Sequence, residues 1–144
     1  METSNPVTIT VEAVVHAPVE SVWTYWNEPK HITKWSTASE DWHTPFAEND
    51  LRVGGKFVSR MEAKDGSFGF DFGGVYDEVV ANERIAYTIG DSRKVEVRFI
   101  RQDNSTTIIE SFEAEGTNPV EMQQAGWQAI LDNFKKYAEQ APEA

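Results

Sequence analysis

Residues 57–112 read FVSRMEAKDGSFGFDFGGVYDEVVANERIAYTIGDSRKVEVRFIRQDNSTTIIESF, and their alternation decides the fold. Phe57, Ser59 and Met61 share one side of a strand, and Asp65-Gly66 is a strong hairpin signal. With the turn there, Met61 faces Phe70 and Ser59 faces Phe72, so Phe68, Phe70, Phe72 and Tyr76 join the same side. The pattern resumes after Asn82 with Ile85, Tyr87 and Ile89, and after Gly90-Asp91-Ser92 with Val95, Val97 and Phe99. Crossing Asp103-Asn104 adds Ile108 and Phe112. Lys56, Arg60, Glu62, Asp71, Arg84, Lys94, Glu96 and Arg98 fall on the opposite side, toward water. Because strand side chains alternate with a period of two, the pattern sets register and orientation together. The product is an antiparallel sheet with one aromatic face, and that face needs a cover.

Working outward, Val7 to Val15 reads as a first strand with Val7, Ile9, Val11, Ala13 and Val15 on one side. Pro18 fits the first position of a short helix whose stripe is Val19, Val22, Trp23 and Trp26. Asn27-Glu28-Pro29 interrupts it, and Pro29 opens a second short helix holding Ile32 and Trp35. Glu40 to Phe46 is read as a further strand, with a bend at Gly54-Gly55. At the carboxy-terminal end, Asn118 with Glu121 resembles a capping box, with Pro119 at the first helical position. One face of that long helix carries Gln123, Trp127, Ile130, Leu131, Phe134, Tyr137 and Ala138. Gly126 within it costs about 1 kcal/mol relative to Ala. Close packing against a strand and a gap left for a ligand are its two explanations. The order predicts an α+β domain, helices on one side of an antiparallel sheet, over residues 1–144 with a core from about 7 to 139.

Composition narrows the function. The chain has 144 residues, no cysteine and a formal net charge of -11. Disulfides, thiolate metal sites and cysteine nucleophiles are therefore excluded. His16, His31 and His43 are scattered, so neither a metal site nor a cofactor is expected. Phosphate backbones and anionic lipid surfaces are repelled by the net charge, which argues against nucleic acid and membrane partners. The start METSNPVTIT has neither a basic head nor an apolar run, and with the lack of cysteine this points to the cytoplasm. Gly66, Gly69, Gly73 and Gly74 do not form a phosphate loop; they fit bends and bulges of a curved sheet. No Gly-x-Ser-x-Gly elbow supports a serine hydrolase.

One residue on the greasy side is out of place: Glu110, between Ile108 and Phe112. A lone buried carboxylate is costly, so it must be paired, hydrogen-bonded or held protonated. An even loop at Asp103-Asn104 turns Glu110 inward as a polar anchor or acid/base group. An odd loop turns it out, and a place at a cavity mouth leaves it solvated. Tyr76 and Tyr87 share its side, as ligand-facing hydroxyls or as satisfied core tyrosines. His43, flanked by Trp42, Pro45 and Phe46, is either a rim imidazole able to titrate near neutrality or a surface histidine.

Several motifs, taken in order, resemble a known family. They are Ala17-Pro18 with Val22-Trp23, Glu28-Pro29 through Trp35, Asp50-Leu51-Arg52-Val53-Gly54-Gly55, Asp65-Gly66, Gly74 through Val79, and Gly126-Trp127. The arrangement resembles the helix-grip fold of the START and birch-pollen-allergen superfamily, and within it the family named for the activator of heat-shock protein 90 ATPase. This resemblance covers roughly Val7 to Tyr137. It implies a curved sheet wrapped around a long C-terminal helix, with a small-molecule cavity between them. It carries over no reaction, since binders, carriers and cyclases share the scaffold. The candidate ligand-binding set is Trp42, His43, Phe57, Met61, Phe70, Phe72, Tyr76, Tyr87, Val97, Phe99, Glu110, Trp127 and Ile130. Glu110 and His43 are the catalytic candidates.

Three functions follow as expectations. The first is a carrier or sensor enclosing a small apolar or aromatic, partly hydroxylated ligand. The second is a cyclase, dehydratase or hydrolase using Glu110 with His43 or a tyrosine. The third is a chaperone cofactor acting through its surface, disfavoured because the second domain with which the eukaryotic activator grips its chaperone is absent from this stretch.

Overall fold

The hairpin at Asp65-Gly66 forms with the predicted register: Met61 pairs with Phe70 and Ser59 with Phe72. Gly66 supplies the left-handed backbone the turn requires, with φ at +79°. The computed structural model describes residues 7–37, 40–89 and 92–140. The expected turn residues Gly90 and Asp91, and the first six residues, lie outside them. In chain order the elements are β1 (Thr8–Val15), α1 (Val19–Asn27), α2 (Pro29–Trp35), β2 (Trp42–Asn49), β3 (Lys56–Ala63), β4 (Gly69–Val80), β5 (Arg84–Ile89), β6 (Lys94–Gln102), β7 (Ser105–Glu113) and α3 (Val120–Gln140). The strands form one antiparallel sheet in the order β1-β7-β6-β5-β4-β3-β2. The α+β helix-grip architecture expected from the sequence is the one observed.

Cross-strand pairing lines up two rows that matter later. Ile9, Phe112, Val95, Tyr87 and Tyr76 form one; Val11, Glu110, Val97, Ile85 and Val79 form the next. The outer face is charged as expected, with Arg84 between Glu78 and Glu96, and Arg60 bonded to Glu62 at 2.9 Å. These pairs are solvent-exposed and contribute little stability. Curvature has a local cause at Gly74, where a Cβ would sit 2.3 Å from the Thr88 carbonyl oxygen. Only a glycine lets β4 and β5 approach so closely. Two bulges add bend, one between Tyr76 and Glu78 and one between His43 and Phe46, where Pro45 interrupts the ladder.

The long helix does not lie across the whole sheet. It runs beside the edge strand β1 and closes that edge with side chains: Gln124 donates to the Thr10 carbonyl (3.4 Å), Gln128 to Glu12 (3.1 Å) and Lys135 to Val14 (2.6 Å). An edge strand with free carbonyls invites strand addition, and this row of donors prevents it. From the opposite side α2 packs on β2, and α1 covers the β6–β7 end. There Trp23 and Trp26 meet Phe99 at centroid distances of 5.3 and 5.7 Å, while Trp26 and Trp35 flank Phe134 at 4.8 and 4.9 Å. These contacts seal Phe99 and Phe134 in the core, at 4% and 0% exposure.

Several local expectations shift. Pro18 is the residue before α1, not its first, with extended backbone. Likewise Pro119 precedes α3, accepting from Met122 and Gln123. Asn118 does not cap the helix; its N–H and amide both donate to Glu115. Instead the buried Gln123 ties the helix start to the preceding loop, accepting from the Glu115 N–H (2.9 Å) and donating to the Glu115 (3.1 Å) and Asn118 (2.7 Å) carbonyls. Gly126 is not tightly packed: a Cβ there would meet nothing within 4 Å. Phe68, near the hairpin tip, is 62% exposed despite its contact with Trp42.

Candidate functional site: a cavity between sheet and helices

Because α3 hugs β1 and the two short helices cover the other end, the faces of β3, β4 and β5 keep an unfilled space. It is a cavity of about 400 Å³, within the range of small-molecule sites. Phe57, Ser59 and Met61 from β3, Phe70, Phe72 and Tyr76 from β4, and Ile85 and Tyr87 from β5 form its floor. Trp127 and Ile130 of α3 form one wall, and Trp26, Ile32 and Trp35 of the short helices another.

Glu110 points into this space. The Asp103-Asn104 loop is even, with Gln102 pairing with Ser105 and Asp103 in the left-handed region at φ 57°, so the inward option holds. The residue is 6% exposed, flanked across strands by Val11 and Val97. Desolvation pushes its carboxyl up to about 8, and no cation among the described residues pairs with it. Burial thus favours the protonated form of this acid. Burial raises Tyr87 well above the usual phenol value, with the nearby Glu110 charge adding to it. Tyr76 is also raised by burial. Its hydroxyl donates to Asn49 Oδ1 at 2.5 Å, and Asn49 Nδ2 donates to the Asn27 carbonyl at 2.6 Å. This chain of polar groups locks β4, β2 and the end of α1 together along the cavity.

Of the residues predicted for the site, Phe57, Met61, Phe70, Phe72, Tyr76, Tyr87, Glu110, Trp127 and Ile130 meet around this cavity. Phe70 is at its open side, 41% exposed. Val97 and Phe99 do not reach it. Val97 is sealed between Glu110 and Ile85 at 0% exposure, and Phe99 lies under the α1 tryptophans at 4%. Trp42 and His43 also lie elsewhere, beside Thr33, Lys34, Lys64 and Asn133 in a separate polar hollow. Trp42 packs on Phe68 and Phe70, and His43 Nε2 is 3.7 Å from Glu62 on the outer face. The Pro45 bulge changes the strand's alternation there, and hence the sides these residues take. Asn27, Asn49 and Ser59 line the site without having been singled out as binding residues. Ser59 was legible on the inner face; Asn27 carried only a helix-break signal.

The comparisons with known proteins agree with this geometry. The family model described as "Activator of Hsp90 ATPase homolog 1-like protein" matches residues 16–139. The chain belongs to that family. An AHSA1-like protein from Aeromonas hydrophila, solved by NMR, is 43% identical with a TM-score of 0.87, covering 96% of this chain and 99% of its own. A protein from Cytophaga hutchinsonii is 59% identical with a TM-score of 0.80, covering 92% of each chain. One from Chromobacterium violaceum is 27% identical with a TM-score of 0.82, covering 94% of this chain and all of its own (100%). No curated protein matches the sequence. Family membership fixes a helix-grip binding module in general terms. No helix among the described residues is long and apolar enough to cross a membrane.

Proposed function

We propose that this family member is a cytoplasmic carrier or sensor that encloses a small apolar or aromatic, partly hydroxylated molecule. The observation that carries the reading is the aromatic cavity of about 400 Å³ with one buried carboxyl aimed into it. Burying apolar ligand surface against Phe57, Phe72, Trp127 and Ile130 supplies affinity at roughly 25 cal/mol per Å². Glu110, Tyr87, Ser59 and the Tyr76–Asn49 pair supply orientation. The net charge of -11 supports a partner other than nucleic acid or an anionic membrane. Native mass spectrometry of the protein as purified tests the reading. A bound mass that disappears on denaturation is expected; bare protein that also fails to take up a neutral hydrophobic dye would overturn it.

A second reading, an enzyme, rests on the same carboxyl. An acid pushed up to about 8 beside Tyr87 can give and take a proton near neutral pH. Turnover of the retained compound, abolished in Glu110→Gln, separates an enzyme from a binder.

A further inference from the structure

Aromatic rings run in a continuous series from the core, at the buried Phe112, to the cavity lining at Trp127, Phe72, Phe57 and Tyr87. Phe112 stacks on Trp127 at 3.8 Å, Trp127 meets Phe72 at 6.1 Å, Phe72 meets Phe57 at 6.1 Å, and Phe57 meets Tyr87 at 4.8 Å. Tyr87 returns to Phe112 along one sheet row, with only Val95 between. Glu110 adjoins this circuit, two residues from Phe112 on the same face of β7 and one row from Tyr87. Nothing in the fold depends on its carboxyl, which among the described residues accepts no hydrogen bond and forms no ion pair. An apolar residue in that row would pack without its desolvation penalty.

Electron-rich rings and a desolvated carboxylate are jointly complementary to one kind of group, a cation. We propose that the cavity takes a hydrophobic amine, its ammonium paired with Glu110 beside the lining rings of Tyr87, Phe57, Phe72 and Trp127 and its hydrocarbon part against Ile130 and the α2 side chains. The inference rests on the binding-module reading and names the ligand class for the same cavity. A neutral acceptor would leave Glu110 protonated and gain one ordinary hydrogen bond. An ammonium turns the buried acid into half of an ion pair. The net charge of -11 also concentrates cations near the protein.

Other titratable and charged groups lining the cavity are Tyr76, Tyr87, Glu48, Glu115 and Arg93. Both tyrosines are raised by burial and stay neutral in the range of interest. Glu115 is held low by the Asn118 and Thr117 donors and stays ionised. Arg93 donates to the Glu113 carbonyl at 3.2 Å. Glu110, whose carboxyl burial pushes up to about 8, is thus the group whose proton must leave.

Titration calorimetry with 4-phenylbutylamine, 4-phenylbutanol and 4-phenylbutyrate tests this. The amine is expected to bind at least about tenfold tighter than the alcohol, and the carboxylate weakest. At neutral pH, amine binding should release about one proton, read from buffers of different ionisation enthalpy, and its affinity should rise with pH until Glu110 is ionised. In Glu110→Gln the amine preference and the proton release should both vanish while the alcohol still binds. Equal binding of amine and alcohol, or no proton release from wild type, overturns the amine assignment and leaves the binding module standing. Failure of all three compounds to bind overturns both.

Discussion

Trp127 lies flat on Phe112, their ring centroids 3.8 Å apart and their planes 12° from parallel. That stack joins α3 to β7 at the cavity wall, and the free side of the indole meets Phe72 across the space. The same ring thus serves packing on one side and the cavity on the other.

Trp127→Ala should therefore weaken uptake of a neutral hydrophobic dye without unfolding the domain. Because Trp127 is only part-buried, the expected loss is about 2 kcal/mol, against roughly 3–5 kcal/mol for a fully packed core tryptophan. Urea unfolding read alongside a dye titration checks it. Complete unfolding of the variant would mean that the wall is solid core.

Glu110 should impose a pH dependence on stability. Its folded-state pKa, about 8, lies above the ordinary value of 4.5. Between these values the folded protein binds more protons than the unfolded chain, so stability falls as pH rises and levels off above the higher value. Glu110→Gln should remove that slope and stabilise the protein above pH ~8 by a few kcal/mol, on the order of 1.4 kcal/mol per pKa unit. Chemical denaturation at several pH values reads this. Identical slopes in the two proteins would place the carboxyl in water.

Gly126→Ala should stabilise the protein by about 1 kcal/mol, the helix-propensity difference, because a Cβ there has nothing within 4 Å. Gly126 shares the helix face of Gln123, Trp127 and Ile130, so Gly126→Leu should in addition lower dye affinity. A thermal-unfolding comparison of the three proteins checks the first claim, and a dye titration the second.

Neither duplex DNA nor anionic vesicles should bind at physiological ionic strength, given the net charge of -11. A salt-sensitive anisotropy shift with labelled DNA would contradict the charge argument.

The fold was legible because period-two alternation and two short turns leave little freedom. Met61 opposite Phe70, and Glu110 inward through an even loop at Asp103-Asn104, both follow from counting. Helix ends shifted by one residue, since Pro18 and Pro119 each fit either side of a helix boundary. The site was legible where strands are regular and not at the Pro45 bulge of β2, beyond which His43 pairs with Glu62 on the outer face and Trp42, opposite Ala63, packs on Phe68 and Phe70 outside the cavity lining. Val97 and Phe99 share the inner face with the cavity residues, but alternation cannot tell which part of a face a helix will cover. That depended on α3 following the β1 edge through Gln124, Gln128 and Lys135, a tertiary choice without a local signal.

The most direct test of a functional interior is amide and side-chain NMR mapping of the protein titrated with the neutral dye Nile red. Shifts should gather at Phe57, Phe72, Tyr76, Tyr87, Trp127 and Ile130, with the outer-face Arg60, Arg84 and Glu96 unchanged. Shifts confined to the outer face or to the exposed Phe68, with the cavity residues silent, would contradict the account.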